Sequence, residues 1–139
     1  MFKFVVKYSG PMKKVPLLPH VFDSLLKLWT MVTNPNLADQ LDDIEAEVLS
    51  WHGTSSCMHR YGGIQFNYNG KEIGHIHSNG LLDILFTREI KCQLMNEGMV
   101  NQHHVFTRSG WISFYIKKNE DVAYAIELLR RSGRIEARG

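Results

Sequence analysis

The chain has too little cysteine for a disulfide framework: Cys57 and Cys92 are its only two, and no paired-cysteine motif suggests a structural zinc site. Surplus charge of either sign is scarce as well. Sixteen basic residues against fourteen acidic ones leave a formal +2, which argues against a nucleic-acid surface built on charge alone. No apolar run reaches the length of a transmembrane segment. The opening Met1-Phe-Lys-Phe-Val-Val-Lys is short and charged, and residues 15–32 are interrupted by His20, Asp23, Lys27 and two prolines. Internal repeats and low-complexity tracts are missing too. Together these absences lead us to expect a cytoplasmic globular protein with reduced thiols.

What is present fits one domain with a sizeable core: 139 residues, 44% hydrophobic and 22% charged. We divide it into an arm and helix over residues 1–35 and a main domain over residues 36–139. Pro11, Pro16 and Pro19 make residues 1–19 read as extended. Leu25, Leu26, Trp29 and Val32 fall on one stripe of a helix over residues 21–33, a segment suited to packing on its own domain or to homodimer formation through residues 15–33. Asn36 is placed to cap a second helix, in which Leu37, Leu41 and Ile44 recur at helical intervals. Residues 48–51 read as a first strand and residues 53–57 as a loop. Further on, Thr87 caps a helix that Gly98 ends, residues 99–106 return as a strand, and Ile112, Phe114 and Ile116 share one face of another. Val122, Ala125, Ile126 and Leu129, after a cap at Asn119, give the clearest helical period. The expected fold is α+β, a two-layer domain with a twisted, mainly antiparallel sheet, helices packed on one face, and one or two N-terminal helices leading it.

The centre of the chain is Lys71-Glu-Ile-Gly-His-Ile-His77. Asn69-Gly70 signals a two-residue type I′ turn that pairs residues 64–68 with residues 71–77. That register sets Phe66 opposite Ile73, Ile64 opposite His75 and Gly62 opposite His77. Strand alternation then puts His75 and His77 on the core face with Ile73 and sends Glu72 to the other side. A second two-residue turn at Asn79-Gly80 would face Asp83 away from the histidines, whereas a loop one residue longer would bring it beside them. If Phe106 lies across from Trp111, His103 points inward beside Phe114 and His104 lies beside Ser113.

Two imidazoles on one strand face are spaced to chelate one metal ion, and His103 or His104 can add a third nitrogen. Without a metal the same group can serve as a general base for an enol or phenol. His59, Arg60, Asp83 and Trp111 are the candidates for ligand contact, with the planar donor fork of Arg60 suited to an anionic end. No cofactor is required by the sequence, though a divalent metal on His75, His77 and His104 is compatible with it. The competing reading is a non-catalytic interaction module in which every imidazole is hydrogen-bonded at the edge of the core.

Several runs, taken as a set, resemble the luciferase-domain family of small bacterial and fungal proteins. They are Arg60-Tyr-Gly-Gly63, Lys71 through Asp83, Asn101-Gln-His-His104, Gly110-Trp-Ile-Ser-Phe114 and Asn119-Glu-Asp-Val122. The likeness to bacterial members extends to Leu28-Trp-Thr-Met-Val-Thr-Asn-Pro35. Fungal luciferases oxidise a hydroxylated pyrone with molecular oxygen and emit light; their similarity is confined to the C-terminal half. It rests on a Glu-Ile-X-His-X-His run matching Glu72 to His77, a histidine matching His104 and a Trp-X-X-Phe run matching Trp111 to Phe114. Residues 78–98 resemble them poorly, and their membrane-spanning extension has no counterpart in this sequence. The resemblance implies oxygen or proton chemistry on a small molecule at His75, His77 and His104, with no implication of light.

Overall fold

The structure, a computed structural model, describes residues 18–135; the expectation of an extended arm over residues 1–17 lies outside the described residues. Helix α1, Leu18–Thr33, begins earlier than its apolar stripe suggests, because Pro19 occupies the first turn, where a missing N–H breaks no helical bond. Val21, Leu25, Leu28, Trp29 and Val32 leave much of the apolar side of α1 exposed. Helix α2, Pro35–Leu49, is capped by Asn34 rather than Asn36: the Asn34 Oδ1 accepts the Leu37 N–H at 3.3 Å, and Pro35 occupies the first position. Residues 48–51 are therefore not a strand. Val48 completes the buried stripe of Leu37 and Ile44, and the chain turns after it.

The first strand is β1, Thr54–Met58, where the sequence suggested a loop. Its polar side chains hide it from an apolar pattern, and pairing along β2, Ile64–Tyr68, supplies its order. Strands β3, Lys71–Ile76, and β4, Leu81–Leu85, lead into helix α3, Arg88–Glu97, whose cap at Thr87 and left-handed stop at Gly98 are as expected. Strand β5 shrinks to Asn101–Gln102, so residues 103–106 leave the sheet; β6, Trp111–Tyr115, and helix α4, Asn119–Gly133, follow. Lys118 takes the cap position of α4, with the Asp121 side chain accepting its backbone N–H. The six strands form one antiparallel sheet in the order β1-β2-β3-β4-β6-β5, giving the α+β architecture that the sequence pattern predicted.

Two core-facing rungs cross this sheet. Ile64, Ile76, Leu82 and Phe114 form one, and Phe66, Gly74, Ile84 and Ile112 form another; both belong to the core that also holds Ile44, Val48, Ala125, Leu128 and Leu129 from the helices. At Gly74 a Cβ would lie 3.1 Å from the Leu129 Cδ2 and 2.8 Å from the Asp83 carbonyl, so only glycine admits α4 this close. Between them runs a rung of a different kind: Gln65, His75, Asp83, Ser113 and Asn101, pointing away from the core. No helix among the described residues is long and apolar enough to cross a membrane.

Candidate functional site

The polar rung results from two departures from regular pairing. The Asn69-Gly70 turn forms as expected, with both residues at positive φ, but a bulge lies two residues beyond it. Asn67 pairs with Glu72 while Phe66 pairs with Gly74, so Ile73 is the extra residue. The predicted pairs Phe66 with Ile73, Ile64 with His75 and Gly62 with His77 are accordingly shifted, and His75 moves to the face opposite the helices. Ile73 stays buried in the core, and Glu72 comes onto the histidine side, close enough to bond His75. The second departure is the loop after β3. His77 pairs with Leu81 around Ser78-Asn79-Gly80, one residue longer than a two-residue turn, with Gly80 at φ +86°. This longer loop brings Asp83 directly opposite His75.

Asp83 is 1% exposed and is the centre of the cluster. Its Oδ1 accepts the Ser113 hydroxyl at 2.5 Å. Its Oδ2 faces three imidazole Nε2 atoms, of His75 at 3.4 Å, His103 at 3.5 Å and His77 at 3.7 Å, and makes no conventional hydrogen bond. A buried carboxylate oxygen without a close donor is costly unless compensated. His59 stacks on His75 with centroids 3.7 Å apart, and the His77 ring meets His75 edge-on at 5.3 Å. Trp111 lies 5.3 Å from the His75 ring and 6.0 Å from the His103 ring.

Hydrogen bonds at the far nitrogens fix the tautomers. His103 Nδ1 accepts the backbone N–H groups of Val105 at 3.1 Å and Phe106 at 3.0 Å, so its proton is on Nε2, towards Asp83. His59 Nδ1 accepts the Tyr61 N–H at 3.3 Å, so Nε2 carries the proton and faces Glu72 Oε1 at 3.7 Å. His75 is the opposite case: its Nδ1–H donates to Glu72 Oε1 at 2.7 Å, aiming Nε2 at Asp83.

Backbone geometry holds these rings in place. His59 sits at the start of a tight turn in which its N–H donates to the Gly63 carbonyl and its own carbonyl accepts the Gly62 N–H. Gly63 has φ +84°, and a Cβ there would meet the Ile76 carbonyl at 2.3 Å, so the turn admits no other residue without movement. On the far side, buried Lys91 donates to the carbonyls of Thr107 and Ser109 at 3.0 and 2.8 Å, pinning the loop that wraps His103.

Ionisation follows from these neighbours. Burial alone would raise the Asp83 carboxyl, but the neighbouring His103, His75 and His77 rings and the Ser113 hydroxyl outweigh it and hold Asp83 well below the usual carboxylate range. Burial and the neighbouring His75 lower His59 to about 4. Burial also works against a charged His75, yet the Asp83 and Glu72 carboxylates beside it raise it above the usual imidazole value.

The structure therefore gathers His59, His75, His77, His103, Asp83 and Trp111 on one sheet face. His104 is exposed and stacks on His103, with ring centroids 4.5 Å apart. One nitrogen or oxygen from each of His75, His77 and Asp83 lies within 4.8 Å of the others; His104 joins such a group with Asp83 and His103, not with His75 and His77. Arg60 is exposed at the rim, its guanidinium 5.0 Å above the Tyr61 ring. Sequence reasoning gave no site role to Glu72, Ser113 or Lys91. Glu72 becomes visible only once the bulge is known, and Ser113 once Asp83 is placed opposite it.

No curated protein and no solved structure matches the chain. The family model that does match is the Luciferase domain, over residues 70–132, a stretch that contains His75, His77, Asp83, His103, His104, Trp111 and Ser113 and agrees with the resemblance carried by the Glu72 to His77 run.

Proposed function

We propose that this chain binds a small enolic or phenolic molecule against the histidine face of its sheet and oxygenates it after removing the hydroxyl proton. The observation that carries the reading is Asp83, a buried carboxylate whose Oδ2 faces three imidazole nitrogens, far more polar machinery than a sheet face needs for packing. His77 is the inner imidazole with the largest opening, its side chain 19% exposed, and it stands where a substrate hydroxyl can reach the cluster. That proton passes to the imidazole cluster, and the resulting enolate or phenolate gives its π pair to molecular oxygen: a C–O bond forms as the O–O π bond breaks, and the peroxide oxygen so formed takes the proton back. Trp111 offers a ring face beside His75, His104 a second polar group at the edge, and exposed Arg60 a partner for an anionic substituent. The unpaired thiols Cys57 and Cys92 support a reducing, cytoplasmic setting.

Oxygen uptake with a panel of hydroxylated pyrones, phenols and β-diketones tests the proposal. The wild-type chain consumes oxygen with at least one of them, and His75→Gln and His77→Gln each lower the rate by roughly a hundredfold or more while the fold survives. Equal rates in wild type and both variants would sink it.

A second reading, a non-catalytic module that pairs with another copy of itself, is favoured by the exposed Val21, Leu25, Leu28, Trp29 and Val32 on α1. Sedimentation velocity distinguishes it: a dimer that becomes monomeric on Leu25→Glu supports the pairing, and a concentration-independent monomer removes it.

A further inference from the structure

We propose that His75 Nε2, His77 Nε2 and Asp83 Oδ2 hold one divalent first-row transition-metal ion as a two-histidine, one-carboxylate face. The inference deepens the oxygenation reading and rests on the same face, but it names a ligand set and a cofactor that the reading does not require.

Distances come first. An ion about 2.1 Å from each of three donors, at angles between 90° and 120°, holds those donors roughly 3.0–3.6 Å apart. Asp83 Oδ2 lies 3.4 Å from His75 Nε2, within that range, and 3.7 Å from His77 Nε2, just beyond it. A charge-assisted N–H···O bond would instead draw each pair to about 2.7–2.9 Å. The Asp83 Oδ2 is thus fully buried, faces several nitrogens and is bonded at hydrogen-bond length by none.

Tautomers then decide which nitrogens are available. His103 presents a proton on Nε2 and spends its Nδ1 lone pair on two backbone N–H groups, so neither nitrogen is a ligand. The set of Asp83, His103 and His104 is weakened accordingly. His59 is committed in the same way through the Tyr61 N–H, and Glu72 sits at hydrogen-bond distance from His75 Nδ1, which leaves no room for an ion between them. Of the three rings whose Nδ1 is hydrogen-bonded, His75 alone, with its proton held on Nδ1 by Glu72, is oriented to offer Nε2 as a lone pair. A carboxylate that accepts the outer N–H of a metal-bound histidine is the usual second partner of such a ligand. Ser113 bonds the other carboxylate oxygen, Oδ1, and His103 Nε2 lies 3.5 Å from the ligand oxygen Oδ2.

The third ligand is therefore Asp83, in place of the His104 that the sequence suggested. Three ligands on one side leave open positions for water, oxygen and a bidentate enolate, the arrangement by which iron(II) serves oxygen chemistry.

Protein purified without a histidine tag and analysed for metals, followed by anaerobic titration of the stripped chain with cobalt(II) or iron(II), tests the assignment. One equivalent of metal per chain is expected, with visible cobalt absorption for a nitrogen and oxygen ligand field. His77→Ala, at the more open position, removes stoichiometric binding, as does Asp83→Asn. His103→Asn, which keeps a donor N–H, and Glu72→Gln retain one equivalent with affinity lowered by no more than about 10–100-fold. Folding of each variant is followed by circular dichroism. Failure of the folded wild-type chain to bind either ion at millimolar concentration would overturn the site, and so would full binding by a folded His77→Ala. Metal binding without oxygen uptake on any tested ring would remove the oxygenation reading alone; uptake by a metal-free chain would remove the metal alone.

Discussion

The two faces of the sheet are built from the same strands by alternate residues, and they solve different problems. Facing the helices, Phe66, Ile76, Leu82, Ile84, Ile112 and Phe114 exclude water and are bonded only by contact. Facing away, His75, Asp83 and Ser113 occupy the intervening positions, just as buried, and are held by directed contacts between polar atoms. One face tolerates a change of shape at a cost proportional to lost contact. The other fails when one atom loses its counterpart, because an unmet charge or donor in a dry setting cannot be repacked. The difference between the faces is therefore open to test by substitutions that separate stability from site chemistry.

The largest loss of stability belongs to the apolar face. Phe66→Ala, at a fully buried position, is expected to lower the free energy of unfolding by about 3–5 kcal/mol in urea titrations. A loss below about 1 kcal/mol would mean that the helices and sheet are far less tightly packed than the core contacts require.

On the polar face the order of effects reverses. Asp83→Asn keeps the shape of the side chain but turns an acceptor towards His75, His77 and His103 into a weaker one, at an expected cost of about 1–3 kcal/mol. The same change is expected to abolish ligand or metal binding. A variant at least as stable as wild type and fully competent in binding would reduce the polar rung to an accident of packing.

Lys91→Met probes the support behind that rung. It leaves the Thr107 and Ser109 carbonyls without the ammonium that joins them, and the expected cost is about 1 kcal/mol. Hydrogen exchange is the sharper measurement, because the loss should appear as faster exchange at the Val105 and Phe106 amides that fix His103, with core amides of β4 and β6 unchanged.

How much of this was legible in the sequence depends on which regularity each part obeys. The last helix, the Thr87 cap, the Gly98 stop and the inward set Ile112, Phe114 and Ile116 follow simple periods, and the structure reproduces them. The histidine face does not. A bulge adds Ile73 to β3 and a third residue enters the following loop, and each slips the pairing by one position, so His75 changes sides and Asp83 arrives beside it. Neither irregularity leaves a mark in the apolar pattern, because Ile73 and Ile76 remain buried in any case. The loop was foreseeable as an alternative, and Asp83 with it. Strand alternation sets His103 on the core face beside Phe114, with Phe106 across from Trp111; instead Gln102 pairs with Ile112, the strand ends there, and His103 reaches Asp83 on the polar face from the turn beyond β5.

The smallest effect expected is also the one that tests where the polar face ends. Arg60 is exposed and its guanidinium lies over Tyr61, which in turn stands 5.7 Å from the buried His59 ring. It has no buried acceptor to lose, so Arg60→Ala should leave the unfolding midpoint and the metal content unchanged. A solvent-screened cation can still draw an anionic substituent towards His77, and its removal should then raise KM by roughly two- to fivefold with kcat untouched. Added salt should produce the same rise in the wild-type chain and none in the variant, since screening acts on the charge that the variant lacks. A fall in kcat instead would place Arg60 inside the reacting geometry and extend the directed, failure-prone face out to the rim.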